Sequence, residues 1–119
     1  VGEIKVLSHP SSIDNVPTCA SQEDPVSMAY FASKKAYEVS KKLEYILAIE
    51  IMTEVQALDF IRDIKPSTAT QAVYDLVRKG VPTVNEDRHF NPDIEYIKDL
   101  IHGGALVKCV EGLIGWLKF

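Results

Sequence analysis

Residues 25–62 read PVSMAYFASKKAYEVSKKLEYILAIEIMTEVQALDFIR, and this run decides the fold. After Pro25 no glycine or proline interrupts it, and strong helix formers dominate. Asp24-Pro25 supplies a start signal: the Asp24 carboxylate can accept from free amides of the first turn, and proline suits the first helical position. The predicted helix, from Pro25 to about Arg62, has about 38 residues and a length of roughly 57 Å at ~1.5 Å per residue. A compact domain of this size is only about 35 Å across. The helix is therefore expected to overhang its own domain. Within Tyr45–Ile61, the apolar residues Ile46, Leu47, Ile49, Ile51, Met52, Val55, Leu58, Phe60 and Ile61 point in most directions. A helix that is apolar nearly all round is buried among others. A second copy or a partner chain is expected to cover it, in a helical-bundle oligomer.

Outward from this run the chain reads as shorter helices. Ser67 to Lys79 aligns Ala69, Ala72, Val73, Leu76 and Val77, with Gly80 placed to end it. A polar loop over 81–90 follows. Asn91-Pro92 repeats the cap-then-proline signal, with Ile94, Ile97, Leu100 and Ile101 as the buried face and Gly103 as the stop. Ala105 to Lys118 forms a last amphipathic helix through Leu106, Val110, Leu113, Ile114 and Leu117, weakened by Gly112 and Gly115. Its stripe, with Trp116 and Phe119, reads as core or interface. Residues 1–24, rich in Pro, Ser and Asp, read as irregular. No alternating strand pattern occurs. The expected class is all-α, a long-helix bundle with one helix of about 38 residues followed by three shorter ones, in a single region over 1–119.

Composition narrows the function. The chain has 119 residues, 46% hydrophobic and 25% charged, and a net charge of -4. That charge argues against a nucleic-acid partner, which calls for a basic face. Lys34, Lys35, Lys41 and Lys42 form a basic cluster, but Glu38 and Glu44 interleave with them, as on a solvated helix face. No apolar run reaches the length of a membrane span. Val1 to His9 has neither the apolar core nor the cleavage site of a signal peptide. A cytoplasmic location is expected, and there the distant Cys19 and Cys109 favour free thiols over a disulfide. The chain begins with Val, which reads as a removed initiator or a fragment. The spacing of His9, His89 and His102 fits no zinc pattern, and no metal site is expected.

The stretch with chemical interest is Thr18-Cys19-Ala20-Ser21-Gln22-Glu23-Asp24, which sets two adjacent carboxylates and an amide at the mouth of the long helix. Capping accounts for Asp24, whereas Glu23 is not needed for it. A carboxylate there feels the positive end of the helix dipole. On the residues alone a structural role is the stronger reading. Cys19 has no nearby histidine in sequence to activate it as a nucleophile.

The whole run from Ser12 to Met28, SIDNVPTCASQEDPVSM, resembles the segment around the Gln-Glu-Asp motif of the aromatic amino acid ammonia-lyases, most like the histidine-specific members. The likeness continues through Leu47–Ile51, Gln56–Phe60, Tyr74–Arg78, Val81-Pro82, Glu86–Phe90 and Pro92–Glu95, in the family's order, so it covers nearly the whole chain. It implies the C-terminal part of a mostly helical homotetramer that removes ammonia from an aromatic amino acid, here histidine, giving urocanate. It also implies an electrophile, a methylidene-imidazolone formed within the chain from Ala-Ser-Gly, and no external cofactor. By the same resemblance Glu23 is the catalytic residue, binding the substrate and helping to move a proton, and Gln22 is a neighbouring substrate-binding group. Ser21 stands where the family usually has Asn, Pro25 where it has His, and Cys19 where it has Ser. No Ala-Ser-Gly occurs: Ala20-Ser21 is followed by Gln22, and Ala32-Ser33 by Lys34. The prosthetic group is thus expected in an N-terminal lyase half, and the chain alone is expected to be inactive. The contrasting reading is a noncatalytic helical assembly module or a lyase remnant.

Overall fold

The computed structural model describes residues 1–23, 25–61 and 63–117. These fall into two compact units, 1–43 and 44–119. Among the described residues there is no strand, and the class is all-α, with a long helix followed by three shorter ones.

The first unit opens with a helix that the sequence reading left irregular, α1 (Gly2–Leu7). Six residues are too few to hold a helix by propensity, and side chains fasten this one. Ser8 Oγ donates to Ile4 O at 2.8 Å, and Glu3 meets Lys42 Nζ at 2.8 Å. The hydrogen bond from Lys42, with its charge, holds the Glu3 carboxyl below its ordinary value, and the same bond raises Lys42. Lys35 Nζ also donates to His9 O. The basic cluster is therefore not simply a solvated face: two of its four lysines tie down the N-terminal segment.

The long helix α2 spans Ala29–Phe60, 32 residues. It starts later than the expected Pro25. Val26 N donates to Asn15 Oδ1 at 3.3 Å, and Ser27 Oγ accepts from Ala29 N at 3.4 Å. The predicted cap at Asp24 and the predicted end at Arg62 lie outside the described residues.

In the second unit the buried residues are Ala48, Val55, Val77, Val81 and Ile97, with Met52, Tyr74, Ile94, Tyr96 and Leu106 among those packed against them. Ala48 and Val55 lie seven residues apart, two turns on one face. The rest of the apolar girdle is only partly covered: Leu47, Ile49, Phe60 and Ile61 are exposed. Helix α3 (Thr68–Arg78) begins as predicted, with Ser67 Oγ accepting from Thr70 N at 3.2 Å. Helix α4 (Asn91–His102) ends at Gly103 as expected, but Asn91 is its first helical residue and Phe90 occupies the cap position. The start lies one residue earlier than the cap signal implied, and Asp93 in the first turn faces Arg88 instead of solvent. Helix α5 (Ala105–Ile114) packs on α3 and α4. It stops short of the expected Lys118, because Gly115 leaves helical space at φ 83°. Leu106 reaches the core, but Leu113, Ile114 and Trp116 are exposed. Lys118 and Phe119 lie outside the described residues.

Gly80 has a role beyond ending α3. A Cβ there would sit 2.4 Å from Cζ of Tyr96, so the tyrosine ring lies directly on the glycine backbone. The Tyr96 hydroxyl then donates to Leu76 O at 3.4 Å.

Candidate functional site

The motif lies on a tight turn in the first unit. Thr18 is extended, at φ -123° and ψ 165°. The next three residues, Cys19, Ala20 and Ser21, have φ of 51°, 56° and 68°. Non-glycine residues in this left-handed region each cost roughly 1–2 kcal/mol, because Cβ crowds the following carbonyl. Gln22 returns to right-handed backbone, and its N–H donates to Cys19 O at 3.1 Å. Glu23 then faces Thr18 as an isolated antiparallel pair, with Glu23 N donating to Thr18 O at 3.4 Å. The Thr18 hydroxyl is 3.5 Å from Glu23 Oε2.

Gln22 and Glu23, the two predicted site residues, are therefore adjacent on the far side of one arch, and both are exposed. None of Cys19, Ala20 and Ser21 is buried. Two side-chain acceptors order the approach to it: Asn15 N donates to Asp14 Oδ1 at 2.8 Å, and Asn15 Oδ1 accepts from Val16 N at 2.9 Å. With Val26 also on Asn15, the loop holding Gln22 and Glu23 is closed at its base. Cys19 is exposed and Cys109 half-buried, both as free thiols. Among the described residues no group of three or more His, Cys, Asp or Glu is arranged to hold a metal. His102 sits in the last turn of α4, its Nδ1 3.0 Å from Glu44 Oε1.

The sequence reading did not identify the polar network of the second unit. Asp59 and Arg78 form an ion pair at 2.5 Å, with both side chains nearly buried, and the Tyr74 hydroxyl also donates to Asp59. Burial pushes the Asp59 carboxyl up, but the hydrogen bonds from Tyr74 and Thr83, together with Arg78, outweigh it and hold the group below its ordinary value. Arg78 continues to Val81 O at 3.1 Å. Gln56 pairs with the backbone of Val84 through both ends of its amide, at 2.9 Å and 3.3 Å. Farther along, Arg88 bridges Asp93 at 2.6 Å and Pro82 O at 3.0 Å. A cavity of about 500 Å³ borders the network, with Asp59, Tyr74, Lys65 and Thr83 in its wall. Gln56 and Asp59 belong to the stretch Gln56–Phe60, Tyr74 and Arg78 to Tyr74–Arg78, and Arg88 to Glu86–Phe90. Their i, i+3 and i, i+4 spacing along helices was legible, but their pairing across the unit was not.

A sequence model of the family described as "Aromatic amino acid lyase" matches residues 1–79, and the chain belongs to that family. Among relatives, the histidine ammonia-lyase of Symbiobacterium thermophilum is 42% identical over 118 residues, 99% of this chain and 23% of that protein. The histidine ammonia-lyase of Caldanaerobacter subterraneus subsp. tengcongensis is 45% identical over 111 residues, 93% of this chain and 22% of that protein. The crystal structure of histidine ammonia-lyase from Trypanosoma cruzi superimposes with a TM-score of 0.85 at 39% identity, over 93% of this chain and 22% of that one. The chain thus spans under a quarter of the length of the relatives it matches. Among the described residues no helix is long and apolar enough to cross a membrane.

Proposed function

We propose that this chain acts as the C-terminal portion of a histidine ammonia-lyase, which removes ammonia from histidine without oxidation to give urocanate. The observation that carries this reading is the match itself: 42% identity holds over 99% of the chain yet spans only 23% of the relative. In this reading the chain contributes the Gln22-Glu23 turn and the helices through which subunits assemble. Glu23 binds the substrate and moves a proton, and Gln22 donates or accepts a neighbouring hydrogen bond. An exposed carboxylate on a narrow arch suits this division of labour, because the rest of the pocket comes from another chain.

The methylidene-imidazolone of the family forms from Ala-Ser-Gly, which this sequence lacks. The residues present do not fit that group, and no step through it falls to this chain. It belongs to an N-terminal half, and without that half the chain is inactive. The exposed Leu47, Ile49 and Phe60 on α2 suit coverage by a second copy or by that half.

The test is complementation. Mixed with a lyase N-terminal half that carries Ala-Ser-Gly, the chain should generate urocanate, followed by its ultraviolet absorbance. Glu23→Gln keeps size and hydrogen bonding but removes the charge, and should cut turnover by about 10²–10⁴-fold, the usual range for acid–base groups. Asp24→Asn should cost far less, because this reading gives the Asp24 carboxylate no part in substrate binding or proton transfer. Equal turnover with Glu23→Gln would make the motif structural. A second reading, a noncatalytic assembly module or remnant, draws support from Ser21 and Pro25, which depart from the family's residues. It predicts no product from any mixture.

A further inference from the structure

We infer that Thr18 is a positioning residue for Glu23: its hydroxyl holds one carboxylate oxygen across the left-handed arch, so that the carboxylate is presented in one orientation. The inference rests on the reading of Glu23 as the substrate-facing carboxylate.

Three successive left-handed residues without glycine are unfavourable, and burial of their own side chains does not offset them. Such a backbone persists when its surroundings over-determine it, and strain of this kind concentrates at functional sites. The backbone bonds Gln22 N to Cys19 O and Glu23 N to Thr18 O account for the closure of the turn. The Thr18 hydroxyl contributes to neither bond. Its contact is with Glu23 Oε2, at 3.5 Å. It therefore acts on the side chain and leaves the backbone to the main-chain pair. The distance is long for a hydrogen bond, as is common for catalytic groups before a substrate is bound. An exposed glutamate otherwise samples several rotamers, and ordering it in advance reduces the entropy lost when substrate binds.

Two substitutions separate hydroxyl from shape. Thr18→Val keeps the β-branched form that favours extended backbone and removes the hydroxyl; Thr18→Ser keeps the hydroxyl. The first measurement is NMR relaxation of the Glu23 side-chain methylenes in the full chain. Thr18→Val should loosen them while leaving the Cys19–Ser21 shifts in place, and Thr18→Ser should match the parent chain. Unchanged Glu23 order in Thr18→Val, or equal loosening in Thr18→Ser, overturns the inference. The second is turnover of histidine with the Ala-Ser-Gly-bearing half. Thr18→Val should lower kcat by about tenfold, the scale of one hydrogen bond to a charged group, with KM much less affected and Thr18→Ser restoring it. If the unsubstituted pair works and Thr18→Val works equally well, this inference fails alone. If the unsubstituted pair makes no product, the catalytic reading fails, and Thr18 becomes the partner of a merely structural carboxylate.

Discussion

The turn that carries Glu23 and the network around Asp59 are both assemblies of polar side chains, held in opposite ways. The Asp59–Arg78 pair is nearly buried, cross-linked by Tyr74, and continued by Gln56 onto the backbone of Val84. Each group there has partners on separate elements. The arch of Thr18 to Glu23 is exposed, strained, and closed by contacts among neighbours in sequence. The contrast shows that the most recognisable residues of the chain are not the ones that stabilise it. The network ties α2 to α3 within the second unit, and the motif, in the first, sits on a turn closed by contacts near in sequence.

That contrast can be broken most readily at Arg78. Arg78→Ala removes the guanidinium that pairs with the nearly buried Asp59 carboxylate, a loss typically worth about 3–5 kcal/mol. Urea unfolding of the full chain followed by circular dichroism should show a large drop in midpoint. A shift no greater than that of Lys41→Ala, an exposed residue, would mean that the network is dispensable. Next in size is Gly80→Ala. Any side chain there must displace the Tyr96 ring, and overpacking of this kind costs about 1–3 kcal/mol. Gly80→Ala combined with Tyr96→Leu should recover part of the loss; no recovery would place the strain elsewhere.

A smaller effect is expected with pH. Asp59 is depressed in the folded chain, so the folded state holds its proton more weakly than the unfolded state, whose value lies near 3.8. The sign follows by linkage: the stabilisation is fully present above that value and is lost as the pH falls below it toward the folded value. The urea midpoint of the parent chain should therefore drop more steeply below about pH 4 than that of Asp59→Asn. Parallel curves would remove Asp59 as the cause. The smallest effect belongs to the arch. Ser21→Gly should relieve its left-handed backbone by roughly 1 kcal/mol or less, partly offset by the added freedom of the unfolded chain. Ser21→Asn, the non-glycine residue type that tolerates φ above zero best, should shift stability in the same direction. Amide exchange at Gln22 and Glu23 reads both. If Asn slows exchange and Gly does not, the side-chain amide matters more than the backbone, and the arch is less locally determined than the comparison claims.

These residues also show where sequence reading stopped. Ser67 was legible as a cap and Gly103 as a stop, because both signals act within one turn of backbone. The later start of α2 was not, nor was the contact that brings Asn15 Oδ1 to the Val26 amide from 11 residues away. Ser21 was read only as standing where the family usually has Asn. In the folded chain its φ of 68° adds a backbone reason, since asparagine is the residue that suits that conformation.

By itself, then, the sequence determined the helical class, the order of one long and three shorter helices, and membership of the lyase family. Periodicity, capping residues and a motif in order are all local properties of the chain. It also determined that no Ala-Ser-Gly is present, which is a matter of covalent sequence. The tertiary structure alone decided that α1 forms, since Lys42 lies 39 positions from Glu3. It decided that Gly80 is needed beneath an aromatic ring and that Asp59 meets Arg78. It also decided that Cys19 to Ser21 turn left-handed to bring Thr18 back to Glu23. The physical reason is common to all of them. Each depends on which distant atoms compete for one amide, one carboxylate or one patch of backbone, and that competition is settled only when the chain has folded.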